Sequence, residues 1–282
     1  PCVLAQPVAC AEKALSLLNE EAELFPELAE TLRYSWFPAE ELERRHEERR
    51  LAEAIMCASS FTKQSLIETG VDPKRIFVEP YGVDQTIFAP SPNKFERFSV
   101  IWASSCTQTK GIGYLLKALA RKPVPDSELV VAGYPYGRDA IALYEDRVRV
   151  RRLGHVSHQQ LGRVMPRCHV HVFPTLLEGF GRNIIEAMAS GLPVITTAHS
   201  AGPDLIEDGV NGFIIPIRDV DAICEKLAWV YDNPEAALEM GQRARQRVST
   251  LTPSNYRQRF ANRIQNVWQR NGRVEKPFAV NP

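Results

Sequence analysis

Short apolar runs alternate with stretches of helical periodicity along nearly the whole chain, the rhythm of a parallel sheet covered by helices on both faces. The cleanest stretch follows a Pro-rich break at Ala89-Pro90-Ser91-Pro92. Residues 99–104 (SVIWAS) read as a strand and 111–122 as a helix, whose Ile112, Leu115, Leu116 and Leu119 form one apolar stripe. A strand at 128–132, a helix at 138–146 and a strand at 148–153 follow. Ser157-x-x-Gln160 is a capping box, opening a helix with Leu161, Val164, Met165 and Cys168 on one face. Strands at 169–174 (HVHVFP), 193–197 and 212–216, with a helix at 182–190, complete the pattern. The spacing predicts a six-stranded, doubly wound Rossmann-like lobe over about 93–250.

The segment before the break also reads α/β. Strands are predicted at 2–5, 54–58 and 76–79, with long charged helices between the first two and a helix at 61–68. It is too short for a second lobe of similar size, so 1–92 is expected to be an incomplete N-terminal lobe. The run from Arg44 to Arg50 reads as a solvated helix face with compensating charges. After Thr252-Pro253, Tyr256, Phe260, Ile264, Val267 and Trp268 stand at helical spacing and must bury against one lobe or the other. The last ten residues read as a loose tail.

Composition narrows the function. Lys plus Arg and Asp plus Glu are 34 each, so the formal charge is zero, against a dedicated nucleic-acid binder. Apolar residues at 44% and charged residues at 24% are ordinary for a globular protein. No apolar run reaches the roughly 18–20 residues of a membrane span. The chain opens with Pro1-Cys2-Val3-Leu4, with neither initiator Met nor secretion signal, which reads as a removed start or a fragment. Its six cysteines show no C-x-x-C pair. They are expected to be free, mostly buried thiols in a reducing compartment, the cytoplasm.

Ligands of doubly wound sheets bind beyond the carboxyl ends of the strands, so the loops after strands carry the candidate chemistry. In Ser104-Ser105-Cys106-Thr107-Gln108-Thr109-Lys110-Gly111, Lys110 stands where a helix begins. A cation there opposes the helix dipole unless an anion lies between them; the other reading is a surface lysine that tolerates the position. The Gly111-Ile112-Gly113 pair lacks the third glycine of a dinucleotide fingerprint, because Leu116 stands there. The second loop runs from Pro174 to Asn183, where Gly179 and Gly181 allow a tight turn that presents N–H groups to a phosphate. Glu178 stands in that loop and Glu186 on the helix, beside Asn183 and Ser190 in a polar stripe. Carboxylates so placed accept sugar or ribose hydroxyls; singly, each also reads as a helix-end or surface charge. His155, His158, His169, His171 and His199 are scattered, so no metal is expected.

Taken together these residues resemble a known family. Glu178 to Ile195, E-G-F-G-x-x-x-x-E-A-M-A-S-G-L-P-V-I, is similar to the donor-site motif of the group-one retaining glycosyltransferases of GT-B architecture. The resemblance extends over about 54–250, through Ser60-Phe61-Thr62-Lys63, Tyr81-Gly82-Val83-Asp84, Lys110-Gly111, Gly154-His155-Val156 and the stretch from Leu205 to Gly212. It implies transfer of a sugar from a nucleotide-diphosphate donor to an acceptor hydroxyl, without metal or cofactor. Glu178 would hold sugar hydroxyls, the Gly179-Phe180-Gly181 backbone would face diphosphate and sugar, and Glu186 would bind the ribose. Lys110 would neutralise the leaving diphosphate, with help from Arg182. Gly133 and Gly154-His155-Val156 would lie near the base, Tyr81 to Asp84 would form the hinge, and residues 251–282 would return to the first lobe.

Two departures stand out. Ser105 occupies the position of an Arg that clamps phosphate in many relatives, and the first lobe's Gly-rich loop and histidine have no counterpart. A non-catalytic nucleotide-sugar-binding module is therefore the alternative. A lipid acceptor would bring peripheral membrane contact, but no basic amphipathic helix in the first lobe marks such a contact.

Overall fold

The computed structural model describes residues 2–32 and 38–270, so the loose tail expected at the C-terminus lies outside the described residues. The first segment holds β1 (Val3–Gln6), α1 (Ala11–Leu24), α2 (Ala39–Leu51), β2 (Ala54–Cys57), α3 (Ser60–Glu68) and β3 (Ile76–Val78). The second runs β4 (Phe98–Ala103), α4 (Ile112–Arg121), β5 (Ser127–Ala132), β6 (Val150–Gly154), α5 (His158–Val164), β7 (Val170–Phe173), α6 (Arg182–Ala189), β8 (Val194–Thr197), α7 (Gly202–Leu205), β9 (Phe213–Ile215), α8 (Val220–Asp232) and α9 (Pro234–Val248). A last helix, α10 (Pro253–Arg270), closes the described chain.

The strands form two parallel sheets, one ordered β1-β2-β3 and one ordered β6-β5-β4-β7-β8-β9. The second order is that of the Rossmann fold, and it reverses direction between β4 and β7. Alternation along the strands fills two cores at once. Val100 and Trp102 of β4, Leu129 and Val131 of β5, and Val170 and Val172 of β7 face α4 and α8, while Ile101, Val130 and Phe173 face α6 and α9. The predicted stripe on α4 is fully or almost fully buried.

Two predicted helices differ. Residues 138–146 form successive turns rather than a helix. Hydrogen bonds there span single turns, Tyr144 N–H to Ile141 and Arg147 N–H to Tyr144. Buried Ala140, Ile141 and Tyr144 anchor the segment, and Arg152 holds its Asp139 at 2.7 Å. The segment is thus held in single turns that do not continue into a helix. The stripe through Cys168 is broken at Val164, where Pro166 turns the chain into a 3₁₀ turn. The capping box at Ser157 and Gln160 is present in full.

On α2 the charge run is mostly solvated, with Arg45 to Glu41 at 2.8 Å and Arg50 to Glu47 at 2.6 Å. Arg49 is the exception, buried against Glu12 at 2.8 Å and the Cys10 sulfur at 2.9 Å. The C-terminal stripe lies against the first segment: Tyr256 meets Tyr81 edge-on at 5.4 Å, and Arg263 reaches Glu79 at 3.0 Å. All six cysteines are free and only Cys2 is exposed. Among the described residues no helix is long and apolar enough to cross a membrane.

His171 is fully enclosed on β7, its Nδ1–H donating to the Ile101 carbonyl at 3.0 Å and its Nε2 without a partner. Burial pushes its pKa down to about 4, and burial with nearby Lys94 does the same for His169. Both values lie below the roughly 6.5 of an unfolded histidine. The folded state therefore favours the neutral rings, a stability that is full above pH ~6.5 and is lost as pH falls toward 4. Urea unfolding between pH 7 and 4 is expected to show this decline, and His169→Gln with His171→Gln to make it shallower.

Candidate donor-binding site

The loops after β4 and β7 leave the sheet at its point of reversal and are fastened to each other. The Thr109 carbonyl receives the Leu176 N–H at 3.0 Å and the Thr175 hydroxyl at 3.3 Å. Gly111 makes this approach possible. Its φ is +80°, and a Cβ there would overlap the Pro174 carbonyl oxygen. Residues Gln108–Lys110 form one 3₁₀ turn, so Lys110 stands one residue before α4, separated from it by the N-cap Gly111.

Across the crevice, left-handed Gly181 caps α6 without any side-chain cap. The Ile184 N–H donates to the Gly181 carbonyl at 2.9 Å, the N–H groups of Arg182 and Asn183 before it have no helical carbonyl to reach, and Gly181, Arg182 and Asn183 line a cavity of about 410 Å³. Lys110 Nζ donates to Glu178 Oε2 at 2.6 Å, and the Gly179 N–H donates to Glu178 Oε1 at 2.9 Å. Both partners of the ion pair are about four-fifths buried, at 19% and 20% exposure. In the free protein the two charges thus neutralise each other at the cavity edge.

Glu186 lines the same cavity with only 6% exposure. Burial raises its pKa, opposed by the neighbouring His158 and Arg182. His158 Nε2 stands 3.5 Å from Glu186 Oε1. Asn183 donates to the Ala103 carbonyl at 3.2 Å, which leaves its buried Oδ1 without a partner. At the other end Gly133, Tyr134, His155 and Val156 form the wall. The Gly133 N–H donates to the Gly154 carbonyl at 2.9 Å, closing the loops after β5 and β6 together.

Of the residues singled out in the sequence, Ser105, Gly133, His155, Val156, Glu178, Gly181, Arg182 and Glu186 meet at this cavity, and Lys110 joins them through Glu178. Gly154 joins the wall through its carbonyl, which receives the Gly133 N–H, and Gly179 and Phe180 tie the loop to the first segment. Gly179 is pressed against the Pro7 carbonyl, where no Cβ fits, and its own carbonyl receives the Ser59 and Thr62 hydroxyls. Phe180 is buried edge-on to Tyr81 at 5.1 Å. These contacts hold the loop against the first segment, while the Gly179 N–H is directed at the Glu178 carboxylate that lines the cavity. Ser190 also leaves the polar stripe, donating to the Glu186 carbonyl at 2.9 Å. Sequence reasoning passed over Tyr134 and His158 as site residues. Their signals were Tyr134's place directly after Gly133 and His158's place inside the capping box. Among the described residues no three His, Cys, Asp or Glu side chains gather as a metal site.

This arrangement belongs to a known class. Residues 83–247, more than half of the chain, match the family described as glycosyl transferases group 1, and the chain belongs to that family. It is similar to the MMP alpha-(1->4)-mannosyltransferase of Mycolicibacterium hassiacum, 28% identical over 219 residues covering 76% of this chain and 53% of that protein. It is also similar to the gpi3 subunit of phosphatidylinositol N-acetylglucosaminyltransferase of Schizosaccharomyces pombe, 30% identical over 174 residues covering 58% and 38%. The chain thus spans about half the length of such relatives, or less. Among solved structures, HepE of Anabaena in complex with UDP and glucose superposes with a TM-score of 0.72 at 21% identity, covering 82% of this chain and 68% of that one. The fold is accordingly of the GT-B type, α/β with Rossmann-like parallel sheets.

Because burial raises the Glu186 pKa, its ionisation costs stability at neutral pH, and the cost disappears as the group protonates. Glu186→Gln is expected to leave the thermal midpoint at pH 7.5 unchanged or higher, and a clear fall would contradict this account.

Proposed function

We propose that the cavity binds a nucleotide-diphosphate sugar and that the protein transfers the sugar to an acceptor hydroxyl with retention at the anomeric carbon. In this reading Glu186 accepts the ribose hydroxyls, and the wall of Gly133, His155 and Val156 borders the base. The diphosphate lies between Lys110 and the N-terminus of α6, with Arg182 beside it. The observation that supports this reading is the Lys110–Glu178 pair at 2.6 Å, on the same cavity as the uncapped α6 and Glu186. An entering diphosphate offers Lys110 a stronger anion and releases Glu178 to accept sugar hydroxyls.

As the bond from the anomeric carbon to the diphosphate oxygen breaks, negative charge grows on the leaving group. In this reading Lys110, released from Glu178, and the N–H groups at the start of α6 stabilise that charge. A metal ion is not required in this scheme. The acceptor oxygen then bonds to the anomeric carbon on the face the diphosphate left, and its hydroxyl proton passes to the departing diphosphate oxygen.

Calorimetric titration with UDP, GDP and ADP in the presence of a chelator tests this reading. UDP is the leading probe, since the similar HepE structure holds it. One nucleotide is expected to bind, and Lys110→Ala to weaken it by about 10- to 100-fold, the value of a hydrogen bond to a charged group. Glu186→Ala is expected to weaken it as well. Absence of binding by all three nucleotides would sink the proposal, and binding only with added divalent ion would remove its metal-free part.

A further inference from the structure

Glu21 lies on α1, in the first segment, and none of the motifs above includes it. It is fully buried. Its Oε1 receives the Gln108 side-chain amide at 2.7 Å and the Tyr114 hydroxyl at 2.8 Å, and its Oε2 receives Arg218 Nε–H at 2.7 Å. Three donors from three separate stretches therefore meet on one carboxyl group: the turn that carries Lys110, helix α4, and the connection from β9 to α8. A carboxyl group is tolerated at such depth only when it is fully hydrogen-bonded.

The Gln108 end of this network is held equally firmly. Its Oε1 receives the Gly113 N–H at 3.1 Å, and its own N–H donates to Thr31 Oγ1 at 2.9 Å. Gln108 and Lys110 belong to the same 3₁₀ turn, which the Lys110 N–H to Thr107 and Gly111 N–H to Gln108 bonds close at 3.0 and 2.8 Å. So short a turn cannot absorb a shift of its first residue without moving its last. Arg218 adds a second sign that this junction is maintained against strain. Its φ is +65°, a conformation unfavourable for a side-chain-bearing residue, while its guanidinium bridges Glu21 and Glu20.

We propose that Glu21 is a positioning residue for the donor diphosphate. Acting through Gln108, it fixes the turn from which Lys110 reaches the cavity, so α1 of the first segment sets the phosphate site of the second. The proposal rests on the reading that Lys110 meets the diphosphate. It is separable from a purely structural role, because the turn bears on the phosphate end of the ligand and leaves the Glu186 end untouched.

The test measures affinities for UDP and UMP on the full chain, with thermal midpoints alongside, for Lys110→Ala, Gln108→Met, Glu21→Met and Glu21→Gln. Lys110→Ala and Gln108→Met are expected to weaken UDP about tenfold, as loss of a charge-assisted contact does, while UMP changes by less than about threefold. Glu21→Met is expected to follow Gln108→Met. Glu21→Gln keeps an acceptor for Gln108 and is expected to retain the parent preference for UDP over UMP. Should Glu21→Met not fold, Gln108→Met and Glu21→Gln carry the comparison. If Lys110→Ala leaves UDP binding intact, the diphosphate reading itself fails. If Lys110→Ala weakens UDP but Gln108→Met leaves the preference for UDP unchanged, or weakens both nucleotides alike, the role of Glu21 is overturned.

Discussion

An ammonium and a carboxylate at 2.6 Å, each about four-fifths buried, form the constraint around which the cavity is arranged. Their proximity depends on β4 and β7 lying side by side at the reversal of strand order, which sends two loops out over one crevice. Residue Thr109 fastens those loops, and Gly111 allows the chain to pass the Pro174 carbonyl. Removing either buried charge alone would leave the other exposed to an unfavourable, partly desolvated setting. In the function proposed above, the pair is a stored interaction that a diphosphate would replace, the new anion satisfying Lys110 while sugar hydroxyls satisfy Glu178.

Much of this architecture was legible in the sequence. The six strands of the second sheet appear where alternating apolar runs placed them, since a parallel sheet buried on both faces writes near-continuous apolar strands. The stripe on α4 and the capping box before α5 were equally direct, because each is decided by neighbours in the chain. The segment at 138–146 was read wrongly for the opposite reason. Its helical composition lost to long-range anchors, the Arg152 ion pairs and the buried Ala140, Ile141 and Tyr144.

The site shows the same division. Glu178, Gly181, Arg182 and Glu186 lie close in sequence and stay together in space, so one motif captured them. Gly179 and Phe180 belong to the same motif, yet their surroundings come from Pro7, Ser59 and Tyr81, far earlier in the chain. Close approach of protein and close approach of a ligand both demand a missing Cβ, and at Gly179 the fold shows that the Cβ side is filled by the Pro7 carbonyl.

That contact changes how the first segment should be regarded. It contributes little to the wall of the cavity, yet it touches both loops that build it: Ser59, Thr62 and Pro7 press on the Glu178 loop, and Glu21 and Thr31 hold the Lys110 loop. The Ser60 N–H also reaches Asp204 at 2.9 Å, and α10 returns from the second sheet to Glu79. Two loops with buried charges at their tips need support from behind, since displacement of either would separate the pair. Lys110 is the one cation in the loop 104–111, so on the proposed reading its placement matters more, and the turn that carries it is held by hydrogen bonds to Glu21 of α1 and to Thr31. Precision at the charge thus depends on residues that never reach the cavity.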